Sequence, residues 1–383
     1  MGKSETVLTG ASRILRDPGR FPLLFQTRRR VGLVTNASVH PGRLELQEAG
    51  VPLVRLFTPE HGLDARGEDG IPQPDGWDPS TGLPVTSLYG PRPRPSPGNL
   101  RELDLLLFDL QDVGARFYTF LGTLTHVMEA CADAGLPLWV LDRPNPLGGR
   151  RGAVEGPFPD ADIPESLLCR WPIPVRHSLT LGELARLLRK EMALDVDLSV
   201  VSMEGWRRDM HWPATGLPFQ PPSPGIPTFD SALLYPGLAL LEATTMGEGR
   251  GTPLSFQVVE GPGVNGERLA HALNRRSPPG LEAVPRASGI RLRILEPERV
   301  RPVALGLHLL AVLRTLDPEW GLWSPYPTAD NPSGQHHLLR LLGSRDAVEA
   351  LVDEPEGVQA PQIRNWTRTR GWWKRAEGHL LYE

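Results

Sequence analysis

The chain has 383 residues and a formal net charge of −4. Hydrophobic residues make up 40% of it and charged residues 22%, which excludes a globally disordered chain and leaves enough apolar side chains for a sizeable core. The slightly acidic balance argues against a nucleic-acid-binding surface, because such domains are usually basic.

No apolar run approaches the roughly 18 to 20 residues that span a bilayer, and the N-terminal region lacks the apolar segment of a secretory signal. We therefore expect a cytoplasmic protein that binds neither nucleic acid nor a membrane. An export signal that had been removed from the chain would leave the same pattern.

The first half of the chain contains five short, apolar runs that are typical of buried parallel strands. They cover residues 31–36, 53–58, 103–109, 138–142 and 198–203. A helical pattern at 119–134 is closed by Gly135, and another at 181–192 begins with a capping box formed by Thr180 and Glu183. Strands that alternate with helices predict βαβ units and an α/β fold with a mostly parallel sheet.

The proline-rich segment 211–227 lacks periodicity and predicts a long ordered loop or a connection between domains. Helix-like and strand-like stretches recur after it, at 230–242, 255–260, 266–274, 290–295 and 303–316. They predict a second, smaller α+β domain, so we divide the chain into residues 1–225 and 226–383. The tryptophan-rich tail predicts a covering element.

Ligands of open parallel sheets bind outside the carboxyl ends of the strands, and three of the predicted strands lead into dense groups of polar side chains. These are Glu60, His61, Asp109, Asp112, Arg116, Tyr118, Asp142, Arg143 and Asn145. Glu60 is the strongest candidate for acid or base chemistry, because Pro59 and Gly62 punctuate a tight turn that would hold it in a fixed direction. Asp109 could instead cap the next turn, and Asp142 with Arg143 could form a structural ion pair.

Other kinds of site have weaker support in the sequence. Histidines and carboxylates that suit a divalent metal are present, but no stretch has diagnostic ligand spacing; they are His61, Asp64, Asp109, Asp112 and His177. The glycine-rich pieces match neither a P-loop nor a dinucleotide fingerprint, and no G-x-S-x-G elbow is present. We therefore expect neither a cofactor nor a metal.

Several longer motifs occur in order along the chain. They read Thr-Pro-Glu-His-Gly at 58–62, Thr-Gly-Leu-Pro at 81–84, Ser-Leu-Tyr-Gly at 87–90 and Phe-Asp-Leu-Gln-Asp-Val-Gly-Ala-Arg-Phe-Tyr-Thr at 108–119. Further motifs lie at 140–146, 173–177, 182–185, 222–224 and 247–252. Together they resemble the signatures of the exo-β-N-acetylmuramidase family of bacterial glycoside hydrolases.

This resemblance implies an enzyme of peptidoglycan turnover and cell-wall recycling that removes N-acetylmuramic acid from the non-reducing end of peptidoglycan fragments. It also implies a Rossmann-like domain and a smaller α/β domain with the active cleft between them, and it makes Glu60 the catalytic candidate. The chain departs from the family's usual motifs at 166–170, 177–180, 222–225 and 243–246. These departures flank the expected cleft and bear on the choice of substrate.

Glycoside hydrolysis generally needs a carboxylic acid that protonates the leaving oxygen and a second group that attacks or stabilises the anomeric carbon. We predict Glu60 as the acid. The second group is Asp112, Asp109 or Glu248, unless the 2-acetamido group of the sugar attacks its own anomeric carbon. Retention and inversion of configuration both stay open.

The expected substrate, a small muramic-acid-containing saccharide or muropeptide, carries a lactyl carboxylate that a guanidinium group could bind through two hydrogen bonds. The candidates are Arg116, Arg143, Arg176 and Arg250. The predicted binding set also includes Tyr118 as a stacking group, with His61, Asp109, Asp142, Asn145 and His177. Two other classes stay open: a metal-dependent hydrolase with His61 and His177 as ligands, and a non-catalytic protein that binds cell-wall sugars.

Overall fold

The computed structural model of the protein describes residues 6–316, 321–354 and 358–383. Its larger part is built on seven strands: β1 (Val31–Thr35), β2 (Leu53–Thr58), β3 (Gly76–Asp78), β4 (Leu83–Ser87), β5 (Leu105–Asp109), β6 (Leu138–Leu141) and β7 (Leu198–Val201). They form one sheet in the order β3-β4-β2-β1-β5-β6-β7. Every neighbouring pair is parallel except β3 with β4, so the expected mostly parallel sheet is confirmed.

Helices cover both faces of this sheet, which explains why its central strands are buried along their whole length. All five residues of β1 and all five of β5 are buried. The core on one face includes side chains of α1 (Gly10–Arg16) and α2 (Arg43–Glu48). The core on the other face includes side chains of α3 (Pro97–Arg101), α4 (Thr119–Ala134) and α5 (Leu181–Glu191).

The ends of two helices follow the signals in the sequence. Helix α4 ends at Gly135, whose φ of 61° lies in the left-handed region that glycine adopts without strain. Helix α5 begins with a capping box in which the Glu183 amide donates to the Thr180 hydroxyl at 3.2 Å and the Thr180 amide donates to the Glu183 carboxylate at 3.1 Å.

The order of the strands decides where polar side chains meet. The chain runs outward from β1 through β2 and β4, then returns to β5 on the other side of β1. Because β2, β5 and β6 are parallel, their carboxyl ends share one edge of the sheet. Glu60, Asp112 and Asp142 follow these three strands, and the prediction that they lie at one edge is confirmed.

The second, smaller sheet has three antiparallel strands in the order β8-β10-β9: β8 (Val258–Glu260), β9 (Leu281–Arg286) and β10 (Gly289–Ile294). The helices of this part are α6 (Phe229–Leu238), α7 (Gly266–Arg275), α8 (Pro302–Leu316), α9 (His337–Leu342), α10 (Arg345–Asp353), α11 (Ala360–Trp366) and α12 (Trp372–Ala376). Gly237 lets α6 approach α8 closely, because a Cβ atom there would lie 1.9 Å from the carbonyl oxygen of Pro302. The expected smaller α+β domain is confirmed.

The tail returns to the large sheet. Trp372 is fully buried, and its indole N–H donates to the carbonyl oxygen of His177 at 2.9 Å. The Tyr382 hydroxyl donates to the Asp142 carboxylate at 2.5 Å and accepts a hydrogen bond from the Met203 amide at 2.9 Å. The tail therefore covers part of the large domain and is attached to it by these hydrogen bonds.

Three strands, β3, β4 and β9, are not identified from the sequence. Strand β4 contains Pro84 and β9 contains Pro285, and proline usually argues against a strand because it cannot donate a ladder hydrogen bond. In the part of the chain that the structure describes, no helix combines the length and the apolar character that crossing a membrane requires.

Candidate active site

A cleft lies between the carboxyl edge of the large sheet and loops of the second half of the chain, and together with the open solvent at its mouth it holds about 600 Å³. The first half contributes Glu60, His61 and Tyr118, which follow β2 and β5. Asp69, Tyr89 and Thr119 also come from the first half, and the proline-rich segment contributes Ser223. Helices and loops beyond it contribute further polar side chains, namely Tyr235, Glu242, Arg250, Tyr326, Thr328, Asp330 and His337.

Glu60 is held in the cleft by its own turn and by α4. The turn closes with a hydrogen bond from the Gly62 amide to the Pro59 carbonyl at 3.2 Å, and His61 takes a φ of 71°, which is uncommon outside glycine. The two carboxylate oxygens of Glu60 accept hydrogen bonds of 2.7 Å, one from the Gly70 amide and one from the Thr119 hydroxyl. The direction of the carboxyl group is therefore fixed before a ligand arrives.

Arg250 is the centre of a second polar cluster at the cleft, in which its guanidinium group forms ion pairs with three carboxylates. Its Nε donates to Glu248 at 2.7 Å, its Nη2 donates to Glu242 at 2.6 Å, and its Nη1 donates to Asp69. Burial alone would lower the pKa of Arg250, but the surrounding carboxylates, above all Glu242 and Asp69, raise it. Arg250 therefore stays charged and neutralises part of this acidic cluster.

Glu242 is the acid most firmly held in this cluster. It also accepts a hydrogen bond from the His337 imidazole at 2.9 Å. Burial would raise the pKa of Glu242, but Arg250 and His337 together bring it below its ordinary value. Glu242 is thus a permanent carboxylate.

Two carboxyl groups of the cleft, Glu60 and Asp330, form no ion pair within 4.0 Å among the described residues, although the Arg340 charge acts on Asp330. Asp330 accepts a hydrogen bond from the Leu167 amide at 3.1 Å, and burial raises its pKa. The Tyr89 phenol lies near both groups, and its pKa is raised by burial and then by the charges of Glu60 and Asp330. Neither of these two carboxyl groups is bound to a guanidinium group, unlike Asp69 and Glu242.

Aromatic rings form another part of the wall. Tyr235 makes edge-to-face contacts with Tyr118 and Phe256, at centroid distances of 5.8 and 5.0 Å. Burial raises the pKa values of Tyr118 and Tyr235 well above the ordinary value, so both phenols keep their protons. A wall of this kind combines apolar surface with hydroxyl donors, as sites for small polar ligands do.

Comparison with known proteins places the chain in a family. The model of the N-terminal part of exo-β-N-acetylmuramidase NamZ matches residues 31–230, and the model of the C-terminal part matches residues 233–382. Peptidoglycan β-N-acetylmuramidase NamZ of Bacillus subtilis (strain 168) is 37% identical over 361 residues, which cover 89% of this chain and 86% of that protein. The chain belongs to the exo-β-N-acetylmuramidase NamZ family.

Two solved structures of DUF1343 family proteins from Bacteroides fragilis NCTC 9343 have the same fold. One has a TM-score of 0.84 at 30% identity and covers 99% of both chains. The other has a TM-score of 0.73 at 26% identity and covers 98% of this chain and 99% of that one. The resemblance inferred from the motifs is thus confirmed, together with the arrangement of a large parallel sheet and a smaller sheet.

The predicted site residues of this NamZ family member divide into two groups. Four of them line the cleft: Glu60, His61, Tyr118 and Arg250. Eight others do not line it, and their side chains are engaged elsewhere: Asp109, Asp112, Arg116, Asp142, Arg143, Asn145, His177 and Glu248.

Asp109 and Arg143 form a buried ion pair. The Arg143 guanidinium donates to both carboxylate oxygens of Asp109, at 2.5 and 3.0 Å, and to the carbonyl oxygens of His40 and Pro41. Burial raises the pKa of Asp109 even though the Arg143 charge opposes the shift. Arg143 pairs with Asp109, which lies 34 residues before it, and not with the adjacent Asp142.

The other residues outside the cleft hold the scaffold. Asp112 accepts the Gly114 amide at 2.7 Å and lies 3.6 Å from the His177 imidazole. The Asn145 amide donates to the carbonyl oxygen of Leu179 at 2.9 Å. The Asp142 carboxylate accepts hydrogen bonds from the Thr180 hydroxyl, the Gly182 amide and the Tyr382 hydroxyl.

Two of the predicted arginines donate to backbone carbonyl oxygens in the interior. The Arg116 guanidinium donates to the carbonyl oxygens of Pro157, Ile173 and Leu341. Arg176 likewise donates to Val300 and Leu147. Both guanidinium groups are buried, and neither lines the cleft.

The ligands expected for a metal-dependent hydrolase do not meet. His61 lines the cleft, whereas His177 is fully buried beside Asp112. Within residues 6–316, 321–354 and 358–383, no group of three or more histidine, cysteine, aspartate or glutamate side chains is placed to hold a metal ion.

Several polar residues of the cleft are not among the predicted site residues, including Asp69, Glu242, Tyr326, Asp330 and His337. Asp69 and Glu242 each lie within ten residues of a family motif, at 58–62 and 247–252, so extending these motifs would have found them. Tyr326, Asp330 and His337 lie in loops and at a helix start far from any predicted strand end, and the sequence contains no local signal for them.

Proposed function

We propose that the protein is an exo-acting β-N-acetylmuramidase, a glycoside hydrolase that releases terminal N-acetylmuramic acid from the non-reducing end of peptidoglycan fragments. Membership of the NamZ family and the B. subtilis relative support this activity. The observation that carries the site assignment is that Glu60, oriented by two hydrogen bonds, lines the cleft without a cationic partner among the described residues.

Glu60 is the proposed proton donor to the leaving glycosidic oxygen. A general acid must exist partly in its protonated form, and an arginine partner would favour the carboxylate, as Arg250 does for Glu242. Both donors to Glu60 are neutral groups, and the Thr119 hydroxyl can rotate to accept when the carboxyl group is protonated.

Asp330 is the proposed second carboxyl group. It replaces Asp112, Asp109 and Glu248 in this role, because these three do not line the cleft. Asp330 reaches the site from the second half of the chain, and Glu60 from the large sheet. Two carboxyl groups on different walls can act on opposite sides of one glycosidic bond.

Arg250 is the proposed receptor for the lactyl carboxylate of the substrate. Its Nη1 is occupied by Asp69, whose side chain is 25% exposed, whereas those of Glu242 and Glu248 are each 10% exposed. Asp69 is therefore the acid that an incoming carboxylate can replace most easily. Tyr326, which accepts a hydrogen bond from the same Nη1 at 2.7 Å, would stay in place.

The experiment that tests this function measures hydrolysis of 4-nitrophenyl β-N-acetylmuramide and of a disaccharide of N-acetylmuramic acid and N-acetylglucosamine. With Glu60→Gln, hydrolysis of the disaccharide should fall about 10²- to 10⁴-fold, the usual contribution of general acid catalysis. The loss should be smaller for the nitrophenyl substrate, because nitrophenolate leaves without much help from a proton. Glu68→Gln, an exposed change in the same loop, is the control.

A Glu60→Gln enzyme that cleaves both substrates at the wild-type rate would rule out Glu60. If Asp330→Asn instead shows the loss that depends on the leaving group, the two carboxyl groups have exchanged roles. A wild-type enzyme that binds the muramide without turnover would identify a sugar-binding protein, and loss of turnover with a chelator would identify a metal-dependent hydrolase.

We also infer that the enzyme acts in the cytoplasm on small saccharides or muropeptides. Fractionation of the producing cell, with activity measured in each fraction, tests this location.

A further inference from the structure

A groove lies beside the open edge of the large sheet, at the end that β7 forms. We call it the β7 groove, because β7 contributes one wall and α5 the other. Together with the open solvent at its mouth it holds about 1210 Å³, and it shares no lining residue with the active cleft. None of its residues has a part in the proposed catalysis.

Three cationic side chains line the β7 groove. Arg186, Arg189 and Lys190 are three and four residues apart on α5, which places them on one side of the helix. None of them forms an ion pair within 4.0 Å among the described residues, and Arg186 donates only to a neutral group, the carbonyl oxygen of Leu380 at 3.3 Å. Positive charge in the last turn of a helix offsets the helix dipole, but this explains only Arg189 and Lys190.

Neighbouring acids do not neutralise these three charges. Glu191, at the end of α5, is paired with Arg375 at 2.9 Å. Asp195 and Asp197 lie in the loop before β7 and do not line the groove. The β7 groove is therefore positively charged, although the chain as a whole has a net charge of −4.

The outer edge of β7 presents backbone groups that no strand uses. The carbonyl oxygens of Asp197 and Val201 accept hydrogen bonds from the β6 segment, at 2.9 and 3.0 Å. Because backbone groups alternate in direction along a strand, those of Leu198 and Val200 point away from β6. In the described parts of the chain, no other strand pairs with β7. An open edge of this kind is a template for one more strand.

Apolar side chains form the floor of the groove. Val200 faces α5, because a Cβ atom at Gly182 would lie 2.6 Å from its Cγ1 atom. Leu198, two residues earlier, faces the same side, and Leu194 and Leu381 complete the apolar surface. Alternate side chains of a strand added beside β7 would thus lie between this floor and the cations of α5.

We propose that the β7 groove docks an acidic, extended segment of another protein, which adds to the large sheet beside β7. Only a polypeptide can continue the hydrogen-bond ladder of the open edge. Acidic side chains complement Arg186, Arg189 and Lys190, and apolar ones in the same strand cover the floor. A second copy of this chain fits less well, because pairing β7 with β7 would bring two sets of three cations together.

The probe is an acetylated and amidated peptide, Glu-Thr-Val-Thr-Glu-Thr-Val, in which the two Glu and two Val side chains share one face of a strand. The full chain should bind it, and the Kd should rise with ionic strength because screening weakens the charge attraction. The same peptide with Lys in place of Glu should not bind. Hydrogen exchange followed by mass spectrometry should show slower exchange in segment 195–203 when the acidic peptide is bound, because added-strand hydrogen bonds protect the outward amides.

Two pairs of variants separate charge from strand addition. Arg189→Glu combined with Lys190→Glu should raise the Kd roughly tenfold or more, whereas Arg268→Glu with Arg275→Glu, which reverses two exposed charges on α7, should leave it unchanged. Leu198→Pro removes an outward N–H that β6 does not use, and should raise the Kd about two- to tenfold relative to Leu198→Ala, which keeps it. Urea denaturation shows that each variant is folded.

Several results would overturn the proposal. They are no binding of the acidic peptide, equal binding of the acidic and the Lys peptide, and unchanged binding after the charge reversal on α5. Binding that the charge reversal abolishes, without slower exchange in 195–203 and without an effect of Leu198→Pro, would identify a site for anions in general. A dimer of the wild-type chain in sedimentation that Leu198→Pro dissociates would identify a second copy as the occupant.

Discussion

Asp142 provides the sharpest test of the electrostatics of the fold. Its side chain is fully buried, and its carboxylate accepts hydrogen bonds from the Thr180 hydroxyl at 2.7 Å, the Gly182 amide at 2.8 Å and the Tyr382 hydroxyl at 2.5 Å. Burial nevertheless raises the pKa of Asp142 to about 6, and the three donors only limit the shift. The folded protein therefore binds a proton at Asp142 more tightly than the unfolded chain does.

The sign of the pH effect follows from this difference. Between the unfolded pKa of 3.8 and the folded pKa of about 6, the native state carries more protons than the unfolded state, so stability falls as the pH rises. The contribution is fully present below pH 3.8 and is lost as the pH passes through about 6. A shift of roughly two pKa units corresponds to a change on the order of 3 kcal/mol in the free energy of unfolding.

The variant Asp142→Asn cannot titrate, so its stability should lack this fall. We expect the difference in the free energy of unfolding, Asp142→Asn minus wild type, to increase by on the order of 3 kcal/mol between pH 4 and pH 7. Urea denaturation followed by fluorescence at half-unit pH steps measures it. Tyr382→Phe removes one donor to the carboxylate and should move the wild-type fall to higher pH. Parallel stability curves for wild type and Asp142→Asn across this range would refute the reasoning.

Two further predictions concern arginines. Arg250→Ala should lower the ratio of kcat/KM for a muramide to that for the matching glucosaminide about tenfold to hundredfold, because a charge-assisted hydrogen bond to the lactyl carboxylate is lost; equal losses on both substrates would mean that Arg250 only holds the cleft together. Arg143→Ala leaves the buried Asp109 carboxylate without its partner and should destabilise the protein by about 3–5 kcal/mol, whereas Arg143→Met combined with Asp109→Leu should restore most of that loss. The midpoints of urea denaturation measure the stability of the single and the double variant. An Arg143→Ala protein as stable as the wild type would contradict the ion-pair argument.

The sequence by itself determined the elements whose signals are local. The five strands predicted from the sequence, β1, β2, β5, β6 and β7, appear as mostly apolar runs because helices cover both faces of a parallel sheet. The capping box of Thr180 and Glu183 and the helix end at Gly135 depend on neighbours within a few residues. The position of Glu60 at the carboxyl edge could be predicted for the same reason, since it follows β2 directly.

The tertiary structure alone decided which polar residues form the cleft. Asp109 and Asp330 illustrate the difference. Asp109, at a strand end, pairs with Arg143, whereas Asp330 lines the cleft from a loop that is far in sequence from every strand of the large sheet. Whether a carboxyl group is free or bound to a guanidinium depends on which distant segments pack against it. The local sequence determines the backbone conformation around a residue. The partner of a buried charge, however, belongs to a segment that is distant in sequence, and it is fixed only when the two domains have folded against each other.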